Sequence, residues 1–146
     1  MRGRSPWCAA VVAVALAAVP LSAVAEDAGP GAALDGTWRI VSIGAGFLDP
    51  AVTGKTPQIV FDAGESRFAA TVGCNQFAGG YDRSGGAFAF DAAVISTKML
   101  CPDPLGALEA DFAAMLPEVR GIAVADGAAA LLDADGAARA ILIAVE

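Results

Sequence analysis

The chain has 146 residues, nine basic and sixteen acidic, a net charge of −7 and no histidine. That length holds one domain. The missing histidine removes Ser-His-Asp triads, Cys-His dyads and the commonest zinc ligand, and the acidic balance lacks the electrostatic footprint of a nucleic-acid binder.

Arg2 and Arg4 form a short basic head, and residues 8–21 are almost wholly Ala, Val and Leu. Ala23-Val24-Ala25 reads as an A-x-A cleavage site. Residues 1–25 are therefore expected to be a signal peptide removed on export, leaving Glu26 first. Pro20 breaks the apolar run, which falls short of the roughly 20 residues a membrane span needs. Cys8 precedes the run, so no lipid anchor is expected at the cleavage point. Removing residues 1–25 takes away Arg2 and Arg4 and no acid, leaving seven basic and sixteen acidic residues, a balance of −9. The mature chain is expected to be a soluble periplasmic or secreted monomer with no membrane span.

Export leaves Cys74 and Cys101, an even count in an oxidising compartment. A bridge between them would be worth roughly 3.5 kcal/mol in the chain-entropy model. Two unpaired buried thiols are the alternative. Two sulfurs alone do not make a metal site, so no metal and no cofactor are expected.

Residues 26–33 are rich in Gly, Pro and Ala and read as a flexible lead-in. Residues 36–43 carry β-branched and aromatic side chains and predict a strand. Residues 44–56, with Pro50 and Gly54, predict a loop. Strands over 57–62 and 67–72 form a hairpin across Ala63-Gly64-Glu65. Gly73-Cys74-Asn75 predicts a bend, with Cys74 on the apolar face beside Phe68 and Val72. A short strand over 77–81, a turn over 82–86, and extended segments over 87–91 and 94–99 follow. Asp103 as N-cap and Pro104 at the first helical position predict a helix. Its apolar stripe is Leu105, Leu108, Phe112, Met115 and Leu116, with Glu109 and Asp111 facing away, and Pro117 ends it. Three strands near 121–124, 128–132 and 138–145 close the chain through Asp126-Gly127 and Asp135-Gly136 turns. The expected fold is mainly β with one helix (α+β): a cracked antiparallel β-barrel whose gap is covered by a single amphipathic helix.

Certain residues carry a resemblance. They are Gly36-Thr37-Trp38, the run Gly73-Cys74-Asn75-Gln76-Phe77-Ala78-Gly79-Gly80-Tyr81, the run Thr97-Lys98-Met99-Leu100-Cys101-Pro102, and Glu109 soon after. Their order and spacing resembles the META domain family of HslJ-like, heat-inducible envelope proteins, over residues 34–146. The resemblance implies a cracked barrel with a helix, an envelope or secreted location, a link to stress tolerance and no established catalysis.

The motif residues admit two readings. In the structural one, Gly73 permits the bend, Asn75 bonds neighbouring amides, Phe77 and Tyr81 fill the core, and the cysteines clip the bend to the helix. In the functional one, Asn75, Tyr81, Thr97 and Lys98 form a polar rim around the mouth of a lumen that holds an apolar ligand. Enzyme chemistry is not expected. Asp126, Asp133 and Asp135 read as turn residues, and Asp133-Ala134-Asp135-Gly136 lacks the later Glu of a calcium loop. The leading expectation is an exported, non-catalytic protein that aids envelope stress tolerance by binding an envelope partner. The alternatives are a carrier of an apolar small molecule or acyl chain in the lumen, and an inhibitor that blocks a secreted hydrolase with loop 44–56.

Overall fold

The computed structural model describes residues 34–146. The signal peptide and lead-in expected over 1–33 lie outside the described residues. Ten strands appear in chain order: β1 (Gly36–Ile43), β2 (Gly46–Phe47), β3 (Gln58–Asp62), β4 (Arg67–Thr71), β5 (Gln76–Ser84), β6 (Ala87–Phe90), β7 (Ile95–Ser96), β8 (Gly121–Ala125), β9 (Ala128–Leu132) and β10 (Ala138–Ala144). A short helix α1 (Pro50–Thr53) follows β2 and the main helix α2 (Leu105–Met115) follows β7.

Eight strands make a ring in the order β1-β3-β4-β5-β6-β8-β9-β10, and β10 returns to pair with β1. Every pairing is antiparallel. The expected cracked barrel is thus a closed ring with one thin joint. Between β6 and β8 the register is the single pair Ala87↔Gly121. It is held by Phe88 N–H on Arg120 O at 3.1 Å and Ile122 N–H on Gly86 O at 3.1 Å. A 3-10 turn at Leu116–Glu118 links α2 to this joint, and its Leu116 is buried. It packs against β6, while α2 reaches β1 and stacks Phe112 edge-on to Phe77 at 5.1 Å.

The period-2 alternation decides what faces inward. Trp38 and Ile40, Ile59 and Phe61, Phe68 and Ala70, Phe77 and Tyr81, Phe88 and Phe90, Ala129 and Leu131, and Ala140 and Leu142 are buried pairs on successive strands. Their rings interlock: Phe61 meets Tyr81 and Phe88 edge-on at 5.4 and 6.0 Å, and Phe68 meets Phe90 at 4.7 Å. Such pairs contribute about 0.5–1.5 kcal/mol beyond burial. Trp38 is 3% exposed, and its indole N–H donates to Leu34 O at 2.8 Å. The interior of this eight-stranded ring is filled by side chains. Alanines occupy few of its positions, and the room expected for a ligand in the lumen is taken by aromatic rings.

Several local expectations are corrected. Loop 44–56 contains β2 and α1, because Asp49 Oδ1 caps Ala51 N–H at 2.8 Å with Pro50 in the first turn. β5 runs to Ser84, since Asp82, Arg83 and Ser84 pair with Ala89, Phe88 and Ala87; the turn is confined to Gly85-Gly86. Asp103 does not cap α2. The carbonyl of Pro102 accepts the N–H groups of Leu105 and Gly106, and no side chain caps the helix. Cys74 is off the strand, which ends at Thr71. The two late turns form as expected. Asp126 and Gly127 both have positive φ, 51° and 74°, which suits a two-residue hairpin. Asp133 Oδ1 accepts Asp135 N–H at 3.0 Å and Ala137 N–H at 2.9 Å, making that segment a turn.

Candidate functional site

The Gly73-Cys74-Asn75 bend is where the chain leaves regular structure. Gly73 has φ +149°, and a Cβ there would lie 2.5 Å from Thr53 O. A side chain is therefore excluded twice, by conformation and by space. Thr71 Oγ1 accepts Gly73 N–H at 3.1 Å and donates to Asn75 O at 2.9 Å, closing the bend on itself.

Glu109 of α2 lies under this bend and is 5% exposed. Its Oε1 accepts Cys74 N–H at 3.0 Å and Asn75 N–H at 2.5 Å, and its Oε2 accepts Asn75 Nδ2 at 2.7 Å. Hydrogen bonds to a charged group contribute about 1.5–3 kcal/mol each. Asn75 extends the network. Its Oδ1 accepts Thr97 Oγ1–H at 2.9 Å and Met99 N–H at 2.7 Å, and Thr97 Oγ1 accepts Gln76 N–H at 3.0 Å. Cys74 and Cys101 are joined by a disulfide across the same bend, with α-carbons 6.1 Å apart. Cys101 Sγ lies 3.2 Å from Glu109 Oε2.

This network also explains why the extended segment 94–99 pairs only at Ile95–Ser96. Past Ser96, Thr97 N–H still reaches Gln76 O of β5 at 3.0 Å, and Met99 N–H then turns to the Asn75 side chain instead of a strand. Pro102 sits at the helix entrance, and Gly36 and Thr37 open β1 beside the buried Trp38.

The expected rim assembles only in part: Asn75, Thr97 and Lys98 line one groove, and Tyr81 does not join them. Tyr81 is in the core, stacked on Phe88 at 5.1 Å, with its hydroxyl 3.4 Å from Asp62 O. Burial pushes its hydroxyl above the ordinary tyrosine value; Asp35 and Asp62 add to the rise and Arg83 opposes it. Asn75 and Thr97 spend their polar atoms on the bend. Lys98 alone of the four is exposed with its head group uncommitted by a hydrogen bond or ion pair in the described residues.

Sequence reasoning placed Glu109 on the wrong face. Leu105, Glu109, Phe112 and Leu116 are spaced i, i+4, i+7 and i+11, so the buried stripe of α2 runs through Glu109, while Leu108 is half-buried. The charge of Glu109 masked a position that the spacing marks as internal. Asp111 is exposed, as expected.

Two open grooves flank the segment between β6 and α2. One, of about 460 Å³, is lined by Asn75, Met99, Leu100, Cys101, Glu109 and Ala113, among others. The other, of about 610 Å³, runs along the thin joint past Phe77, Phe90, Val94, Leu116 and Arg120. Lys98 borders both. Beside them three apolar side chains face solvent: Ile95 at 70%, Met99 at 56% and Leu100 at 100%. Phe47, at 88%, is exposed on loop 44–56.

A META domain model matches residues 32–145. The chain belongs to the META domain family. The family is not a known enzyme family. Solved structures share the fold. An NMR structure from Burkholderia xenovorans is 21% identical with a TM-score of 0.58, covering 89% of this chain and 91% of that one. A second NMR structure is 19% identical with a TM-score of 0.59, covering 75% and 89%. A crystal structure of a DUF4847 family protein from Bacteroides vulgatus ATCC 8482 is 12% identical with a TM-score of 0.51, covering 75% and 90%. No curated protein matches the sequence. Among the described residues of this META domain, no helix is long and apolar enough to cross a membrane.

Proposed function

We propose that this META domain protein is an exported, non-catalytic binding module that supports envelope stress tolerance through a partner docked beside α2. The observation that carries this reading is the exposed apolar trio Ile95, Met99 and Leu100 next to open grooves. The polar groups around the bend are engaged in holding the backbone, so the recognition elements left there are apolar side chains and the Lys98 ammonium.

The test is complementation of a deletion strain of its own host. The double variant Ile95→Ser/Leu100→Ser should fold normally and fail to restore survival under heat or envelope stress. The control Val145→Ser, on another exposed apolar residue, should restore it. Full rescue by the double variant refutes the reading. Export has its own check: the mature protein should begin at Glu26 by N-terminal sequencing.

A second reading is favoured by the groove at the thin joint. Its lining by Phe77, Phe90, Val94 and Leu116, with the two cations Lys98 and Arg120 against the single carboxylate of Asp91, suits an acyl chain with an anionic head. This relocates the carrier alternative from the filled lumen to the outer cleft. Native mass spectrometry of protein from its own host should then show a co-purifying lipid mass that Lys98→Glu/Arg120→Glu loses.

A further inference from the structure

We infer that the Cys74–Cys101 pair, once reduced, becomes a binding site for one zinc-like divalent cation, with Glu109 as the third ligand. The sequence supplied only two sulfurs, too few for a metal site. The fold brings a carboxylate to them: the sulfurs of Cys74 and Cys101 and a carboxylate oxygen of Glu109 all lie within 4.8 Å of one another. A tetrahedral zinc with bonds of about 2.0–2.3 Å holds its ligand atoms within about 4 Å of each other, so small side-chain rotations at the two cysteines suffice.

The third ligand is held in place before any ion arrives. Glu109 is fixed by Cys74 N–H, Asn75 N–H and Asn75 Nδ2, and Asn75 is fixed in turn by Thr97 and Met99. That is the outer-shell support which orients a metal ligand. The groove lined by Cys101, Met99 and Glu109 gives an entry path and room for water as the fourth ligand. Two thiolates and one carboxylate match the borderline-soft preference of zinc.

The chemistry balances as follows. A dithiol reductant transfers two electrons and two protons to the Cys74–Cys101 bond and closes to its own disulfide. The sulfur–sulfur bond breaks and two thiols form. The cation then displaces both thiol protons to solvent and binds the two thiolates and an oxygen of Glu109. The oxidised form offers no thiolate, so occupancy requires reduction.

Cadmium is the probe, since it stands in for zinc and gives a sulfur-to-metal absorption band. Full-length mature protein, reduced with dithiothreitol and desalted under argon, should bind one Cd²⁺ with that band. The oxidised protein and Cys74→Ser/Cys101→Ser should not. Loss of outer-shell support alone weakens metal binding by about 10–100-fold, so Glu109→Gln, checked for fold by circular dichroism, should bind at least about tenfold more weakly. If reduction unfolds the wild type, Cd²⁺ should restore its native circular dichroism and leave the double serine variant unfolded. The proposal is overturned if reduced wild type binds no better than the double serine variant, if Cd²⁺ fails to refold an unfolded reduced chain, or if Glu109→Gln binds as tightly as wild type.

Discussion

The barrel interior and the Gly73–Asn75 corner hold the same small protein together by opposite means. In the interior, buried apolar side chains alternate with outward-facing residues along most strands of the ring, and aromatic rings meet edge-on. Backbone groups there find partners in the strand ladder. At the corner the ladder stops, and one carboxylate and one amide side chain take over the role of a strand. Burial is distributed, so the interior tolerates adjustment by repacking. The corner is concentrated: removing one group leaves several backbone donors without a partner.

The largest expected effect lies in the interior. Trp38→Ala should lower stability by about 3–5 kcal/mol, as large buried aromatics do, and it also strands Leu34 O, which the indole N–H satisfies. A denaturant midpoint close to wild type would break the assignment of Trp38 to the core. Next comes the tether at the corner. Cys74→Ala/Cys101→Ala should cost about 3.5 kcal/mol if loop-closure entropy governs. Chemical denaturation under oxidising conditions reads it, and peptide mapping that found both native thiols free would remove its premise.

The interior was legible because its information is periodic. Strands over 58–62, 67–71 and 128–132 follow from alternation, and Asp126-Gly127 marks its hairpin through the positive φ both residues adopt. Composition cues failed where a long-range partner overrode them. Ser84 and Asp82 look like turn residues, yet pairing with β6 keeps them in a strand. Asp103 looks like a helix cap, yet a backbone carbonyl starts the helix. The corner was half legible. The family motif flagged Gly73, Asn75, Thr97 and Met99, and the even cysteine count pointed to the bridge now seen. That Asn75 bonds residues 22 and 24 positions away, and Glu109 residues 34 and 35 away, is written in no local pattern. Glu109 was the nearest miss, because helical spacing places it on the buried stripe.

A smaller effect sharpens the contrast between distributed and concentrated stabilisation. Asn75→Ala and Glu109→Ala act on one network, so their costs should not add. A double-mutant cycle should return a coupling of about 0.5–3 kcal/mol. A coupling of zero would mean that the two residues act on the bend separately, and the corner would then resemble the interior after all.

Tyr81 provides the finest test, because the motif placed it at a polar rim and the fold places it among Phe61 and Phe88. Burial raises its pKa above the ordinary tyrosine value of 10.0. The folded state therefore holds the Tyr81 proton at pH values where the unfolded chain has begun to lose it. Between the two pKa values the folded state binds more protons, so stability falls as pH rises. The contribution is fully present below about pH 10 and is lost as pH climbs through the folded value. Tyr81 is the chain's single tyrosine, so ultraviolet absorbance reports its titration without overlap from other tyrosines. The expected result is a midpoint above the ordinary value, and a loss of alkaline stability that is smaller in Tyr81→Phe than in wild type. Titration at or below the ordinary value would put the hydroxyl in solvent and return Tyr81 to the rim.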